Sequence, residues 1–248
     1  MLDRADTLTP STPAQRAAGW AVHAYTASGA VFGLLFVLAG VQGDMREAFA
    51  WAAAAMVVDG TDGTLARRLE VSRHVPDFDG ALLDNIVDYL TYVFAPVVVL
   101  HQNGFLPDGD AGLVVASVPL LASCYQFCRA DAKTADHLFW GFPSYWNVVA
   151  FYAVVLEQGV VATTVVIAVC SVLVFVPIGY LYPSRATEFQ RSSVLLTSVW
   201  SVVAIVLVVQ LPDASRLLAQ LSLLYVVYYV GASLVLTARR RRAAAPGR

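Results

Sequence analysis

Eight apolar runs, each close to the length of a membrane-crossing helix, account for most of this chain of 248 residues. A helix needs about 20 consecutive apolar residues to span a hydrocarbon core. The runs fall at 18–41, 46–66, 81–101, 111–129, 142–158, 159–181, 193–211 and 215–237. Turn-forming breaks separate them, among them Gly43-Asp44, Leu106-Pro107-Asp108-Gly109, Tyr182-Pro183-Ser184 and Leu211-Pro212-Asp213. Only 14% of the residues are charged, against roughly 25% in a soluble domain. In lipid every backbone polar group must be satisfied within the protein, which leaves helices or a closed barrel. The predicted fold class is therefore an all-α integral membrane protein with about eight transmembrane helices.

Residues 1–15 read as a mobile cytoplasmic lead-in, 16–238 as a single transmembrane domain, and 239–248 as a basic cytoplasmic tail without fixed structure. Eight spans put both termini on one side. Arg4, Arg16, Arg67, Arg68, Arg73, Arg129, Lys133, Arg185, Arg191, Arg239 to Arg242 and Arg248 fall on that side, and only Arg46 and Arg216 on the other. Fourteen of the 16 Lys and Arg residues thus share one face, which the positive-inside rule assigns to the cytoplasm. Cys124, Cys128 and Cys170 sit in apolar runs and read as small hydrophobes, not as a disulfide framework. His74, His101 and His137 read as surface loop residues, while His23 faces either a cleft or a neighbouring helix. No nucleic-acid partner is expected.

Four aspartates break the apolar pattern. Asp59 and Asp62 lie at the end of the second run, and Asp84 and Asp88 at the start of the third. An ionised side chain at the bilayer centre costs about 2.5–3.5 kcal/mol even on insertion scales, so such residues face a cavity or a partner. The i, i+3 and i, i+4 spacings put each pair on one side of its helix. A short connection lets the two pairs meet. Four converging carboxylates cannot all stay ionised in a poor solvent without cations. Oxygen-only ligands select a hard divalent ion, Mn²⁺ or Mg²⁺, and four of them suggest two ions. Gly60, Gly63 and Ala66 keep the acid-bearing side of the helix open. Arg67, one turn on, can meet a phosphate held by the metals.

The pattern Asp59-x2-Asp62-Gly63-x2-Ala66-Arg67, then Gly80-x3-Asp84-x3-Asp88, resembles the signature of the CDP-alcohol phosphotransferase family. Eight positions match within residues 59–88. Twelve residues, Arg68 to Asp79, separate Arg67 from Gly80, where most of the family has about eight. That spacing, and the segment beginning at Cys128, are similar to the bacterial branch that uses choline. The resemblance covers roughly 16–237. It implies a multispanning homodimer in the bacterial inner membrane, with its active site on the cytoplasmic side. It also implies attack by choline's hydroxyl on CDP-diacylglycerol, releasing CMP. By the same resemblance Asp59, Asp62 and Asp84 hold the metals, and Asp88 is the catalytic base and a further ligand. Asp59, Gly63, Ala66, Arg67 and Gly80 contact CDP-diacylglycerol.

A quaternary ammonium cannot donate a hydrogen bond, so aromatic faces are its usual partners. Tyr125, Tyr145 and Trp146, near the cytoplasmic mouth of the fourth and fifth runs, are the candidates for binding choline. Interfacial anchoring is the other reading of the same rings. Asp131 and Asp136 are possible charge partners or simply solvated loop residues. A different acceptor (serine, glycerol phosphate or inositol phosphate) would use the same acids, with Arg129, Lys133, Arg185 and Arg191 as a basic pocket for a phosphorylated alcohol. A cation transporter would instead scatter acids near the midplane of several helices, and a scaffold would have no use for them.

Overall fold

Thr12 sets the start of the first helix. Its Oγ1 accepts the Gln15 amide at 3.2 Å, while its own N–H donates to Gln15 Oε1 at 2.9 Å. This reciprocal pair satisfies two amides that a helix N-terminus otherwise leaves orphaned. Pro13 follows where a missing N–H does no harm. The structure is a computed structural model that describes residues 11–129, 138–181 and 189–244. In it α1 runs Pro13–Val41, so the helix begins inside the expected lead-in. Asp44 caps α2, Met45–Arg68, by accepting the Glu47 amide at 2.9 Å. After the short α3, Val71–His74, Asp79 caps α4, Gly80–Asp88, in the same way through Leu82. A π-helical stretch, Tyr89–Phe94, joins α4 to α5, Ala95–Gln102, and the three form one rod.

The rest of the chain supplies α6 (Gly109–Cys128), β1 (Leu138–Trp140), α7 (Trp146–Val155) and α8 (Val160–Phe175). It ends with β2 (Gly179–Leu181), α9 (Gln190–Gln210) and α10 (Arg216–Ala244). Each of the eight apolar runs contains a helical segment, and apart from β1 and β2 the described regular structure is helical, as an all-α multi-pass membrane protein requires. Five segments are long and apolar enough to cross a membrane: α1, the α4–α5 rod, α6, α9 and α10. Helix α2 has the length, at 24 residues, but its ends are charged.

The fifth and sixth runs differ from expectation. Helix α7 has 10 residues and α8 has 16, or about 15 and 24 Å, less than a hydrocarbon core of about 30 Å. The end of the sixth run leaves the helix and becomes β2, paired antiparallel with β1 in the register Leu138–Leu181, Phe139–Tyr180 and Trp140–Gly179. Helix α10 satisfies the remaining donors. Gly179 N–H donates to Thr237 Oγ1 at 2.9 Å and Leu181 N–H to Ser233 Oγ at 3.1 Å. Backbone outside helices in a membrane protein must find its partners in the protein or in water, and here α10 supplies them. Gly141, at φ +83°, turns the chain after β1 so close to α8 that a Cβ there would lie 2.1 Å from the Val174 carbonyl oxygen.

Two sequence expectations are corrected. The arginines of the basic tail continue α10 as helix, as expected of strong helix formers at a negative dipole end, and Arg241 donates to the Pro177 carbonyl at 2.9 Å. His74 is buried, with Nδ1 2.9 Å from Ser11 Oγ, because α3 folds back over the start of α1. His137, Asp131, Lys133, Asp136 and Arg185 lie outside the described residues.

What brings α1 against the α3–α5 segment is a seam of glycines. A Cβ at Gly19, Gly29, Gly33 or Gly40 would lie 2.6 Å from Val75, 2.5 Å from Val87, 3.3 Å from Thr91 or 2.4 Å from Val99. Small residues at helix interfaces let backbones approach where lipid provides no hydrophobic drive between helices. Replacing Gly40 with Ala should therefore overpack the seam and destabilise the detergent-solubilised protein by about 1–3 kcal/mol. Val99→Ala removes the clashing methyls, so the double variant should be more stable than the two single losses predict. Thermal unfolding of the four proteins checks this, and strictly additive losses would mean that the two positions do not touch.

Candidate active site

Because Asp79 caps α4, Gly80 is its first residue, and Asp84 and Asp88 follow one turn apart on a common face. Asp59 of α2 lies across from them. One carboxylate oxygen from each of Asp59, Asp84 and Asp88 lies within 4.8 Å of the other two, and all three residues are partly buried. Ligand oxygens on opposite sides of a Mg²⁺ ion sit about 4.2 Å apart, so the spread is close to that of one hard divalent site. Three like charges this close in a low-dielectric setting are unfavourable without a cation among them. The donor set and its spacing fit a divalent metal.

Asp62 stands apart from this group. It is buried, its Oδ2 accepts the Thr26 hydroxyl of α1 at 2.8 Å, and its Oδ1 accepts the amide of Gly63. The i, i+3 offset explains the divergence. Two such residues differ by about 60° around the helix, and α2 packs against both α1 and α7 while facing α4. Asp59 therefore faces α4, while Asp62 faces α1.

Tyr92 enters the site from the π-helical stretch. Its hydroxyl donates to Asp59 Oδ2 at 2.7 Å, and its ring centroid lies 6.3 Å from that of Tyr145. Sequence reasoning missed both Tyr92 and Thr26. A signal for Tyr92 was available, since it stands four residues beyond Asp88 on the acid-bearing face.

Gly80 meets His23. A Cβ on Gly80 would lie 2.9 Å from His23 Cε1, so the imidazole rests directly on the first turn of α4. His23 is buried between Trp20 and Phe78, and its Nε2 has no hydrogen-bond partner among the described residues. This answers the question the sequence left open: the ring faces the acid-bearing helix. At Gly60 a Cβ would meet nothing within 4 Å. Gly63 and Ala66 are partly buried on the same helix, and the exposed Arg67 donates to Thr64 Oγ1 at 3.1 Å.

The three aromatic candidates fall in different places. Tyr145 lies next to Tyr92 and, on its other side, 6.4 Å from the Tyr229 ring. Trp146 is fully buried, its indole N–H donated to Ser123 Oγ at 2.8 Å. Tyr125 is 48% exposed, packs on Phe175, and has the Arg129 guanidinium 5.6 Å from its ring centre.

Comparison with known proteins places the chain in a family. The family model for CDP-alcohol phosphatidyltransferase matches residues 23–209. A curated phosphatidylcholine synthase of Legionella pneumophila is 39% identical over 89% of this chain and 89% of its own length. Those of Pseudomonas aeruginosa and Borreliella burgdorferi are 38% and 33% identical, over 92% and 90% of this chain and 95% of each relative. The matched family generally uses divalent metals.

Proposed function

The chain belongs to the CDP-alcohol phosphatidyltransferase family, and from that premise we propose that it transfers the phosphatidyl group from CDP-diacylglycerol to choline, giving phosphatidylcholine and CMP. The observation behind this reading is the convergence of Asp59, Asp84 and Asp88 in a chain that aligns almost end to end with curated phosphatidylcholine synthases. Asp59, Asp84 and Asp88 would hold Mn²⁺ or Mg²⁺, two ions in all, and Asp62, which faces Thr26, would have to turn to join them. Bound there, the metals would neutralise charge on the pyrophosphate and on the departing CMP.

The chain's own groups do the rest. Asp88 accepts the proton of choline's hydroxyl as its oxygen bonds to the lipid-linked phosphorus, and the bond from that phosphorus to the CMP oxygen breaks. Gly63 and Ala66 leave room for the nucleotide to approach the backbone of α2, Arg67 meets a phosphate, and Gly80, whose side-chain space His23 fills, would line the pocket through its backbone. Of the aromatic candidates we assign the ammonium to Tyr145, the one that borders the acid cluster through Tyr92. The lipid arrives laterally and choline from the cytoplasm. This accords with placing both termini and the 68–79 loop on the cytoplasmic face of the inner membrane. The working unit is a homodimer.

Four outcomes follow. Purified protein with CDP-diacylglycerol and Mn²⁺ or Mg²⁺ should convert choline, but not serine, glycerol phosphate or inositol phosphate; product analysis showing another headgroup would reassign the acceptor. Asp88→Asn should lose about 10²–10⁴ in turnover, as removal of a general base does, while still binding CDP-diacylglycerol, and near-normal turnover would demote Asp88. Tyr145→Ala should raise the choline KM by a few-fold to about thirty-fold, the value of about 0.5–2 kcal/mol for one cation–π face. Phe at that position should keep most of the affinity, and an unchanged KM in the Ala variant would leave Tyr145 as packing alone. Cysteines at the exposed positions Ser72 and Asp108 should label from the cytoplasmic and the external side respectively, and the opposite pattern would invert the orientation.

A further inference from the structure

We propose that Tyr92 is a positioning residue for the metal site, holding the Asp59 carboxylate in its ligating orientation. The inference rests on the reading of the acid cluster as a divalent-metal site.

The geometry supports it at three points. The Tyr92 hydroxyl donates to Asp59 Oδ2 at 2.7 Å across the gap between the α4–α5 rod and α2. The donor is stiff: a phenol has two rotatable bonds, and this ring is flanked by Tyr145. The residue also comes from the one stretch of the rod that is wound as a π-helix. Along an α-helix, each step of four residues drifts by about 40° around the axis. Asp88 is therefore rotated by that amount from Asp84 around the rod. A π-helical stretch holds more residues per turn, so the next step of four drifts back. Tyr92 thereby returns toward the azimuth of Asp84 and reaches Asp59. Such insertions recur at functional sites.

A carboxylate on a helix beside an open glycine such as Gly60 is free to rotate unless something fixes it. Metal ligation then bears the entropy of ordering it. A charge-assisted bond from a rigid donor removes that cost and stabilises the anion before the ion arrives. Outer partners of this kind typically change metal affinity or activity by 10–100-fold when removed. A purely structural hydroxyl would give no such change. Nor would a ring that served only as an aromatic face for the ammonium.

Tyr92→Phe keeps the ring and its packing and removes only the donor. Full-length protein in detergent should be titrated with Mn²⁺ alone and the free ion followed by electron paramagnetic resonance, for the parent, Tyr92→Phe and Asp59→Ala. We expect Tyr92→Phe to bind Mn²⁺ at least about ten-fold more weakly, and Asp59→Ala to bind it more weakly still. In turnover assays Tyr92→Phe should need correspondingly more Mn²⁺ for half-saturation and recover most of its kcat in excess metal, with choline KM little changed. The Mn²⁺-dependent rise in Tm, smaller in Tyr92→Phe than in the parent, gives the same answer without activity. Parental Mn²⁺ affinity in Tyr92→Phe overturns the positioning role, as does a raised choline KM with Mn²⁺ affinity intact. If Asp59→Ala binds Mn²⁺ as the parent does, or if the parent binds none, the metal-site reading itself falls, and this inference with it.

Discussion

The close approach of α1 to the rod formed by α4, the π-helical stretch and α5 is the contact on which the rest of the site depends. Lipid gives no hydrophobic drive for helix association, so the two must gain from van der Waals contact, and the glycines of α1 allow it by removing every Cβ that would keep Val75, Val87, Thr91 and Val99 at a distance. Once α1 lies that close, Thr26 reaches Asp62 on α2 and His23 settles on Gly80. Helix α1 thus ties together the two helices that bear the acids, and does so without contributing an acid of its own.

The acid cluster shows how packing sorts residues that look equivalent in sequence. Asp59 and Asp62 are three residues apart on one helix, yet one joins Asp84 and Asp88 while the other is bonded to α1. The 60° between them is small on a helical wheel and large in a three-helix junction, where it selects the neighbour each carboxylate meets. The π-helical stretch acts in the same way on the opposite wall. A local change of winding decides whether a tyrosine four residues past the last aspartate reaches back toward the site.

The segment from β1 to β2 answers a different demand. Two short helices and a two-stranded pairing stand where continuous spans were expected, and their backbone donors find the hydroxyls of Ser233 and Thr237 on α10. A long apolar run therefore guarantees burial in lipid or protein but not a full crossing. Trp146 illustrates the same point for a side chain: an aromatic residue beside a polar loop sits in the core with its N–H satisfied by Ser123, whereas its neighbour Tyr145 lies beside the site.

Much of this was legible from the amino-acid order alone, for reasons of local physics. The apolar runs, the turn-forming breaks such as Gly43-Asp44, and the spacing Asp84-x3-Asp88 are short-range features. They fix helix positions and the face on which acids project without knowledge of any neighbour. The motif from Asp59 to Asp88 identified the family for the same reason, since it is contiguous along the chain. What the sequence left undecided were relations between segments far apart along it: Tyr92 with Asp59, Thr26 with Asp62, His23 with Gly80, and β1 with β2. Periodicity gives the azimuth of a side chain on its own helix but not which helix stands opposite. Only the packed structure supplies that, because the glycine seam and the π-helical stretch set the separation and rotation of whole helices, and with them the partner that each polar group meets.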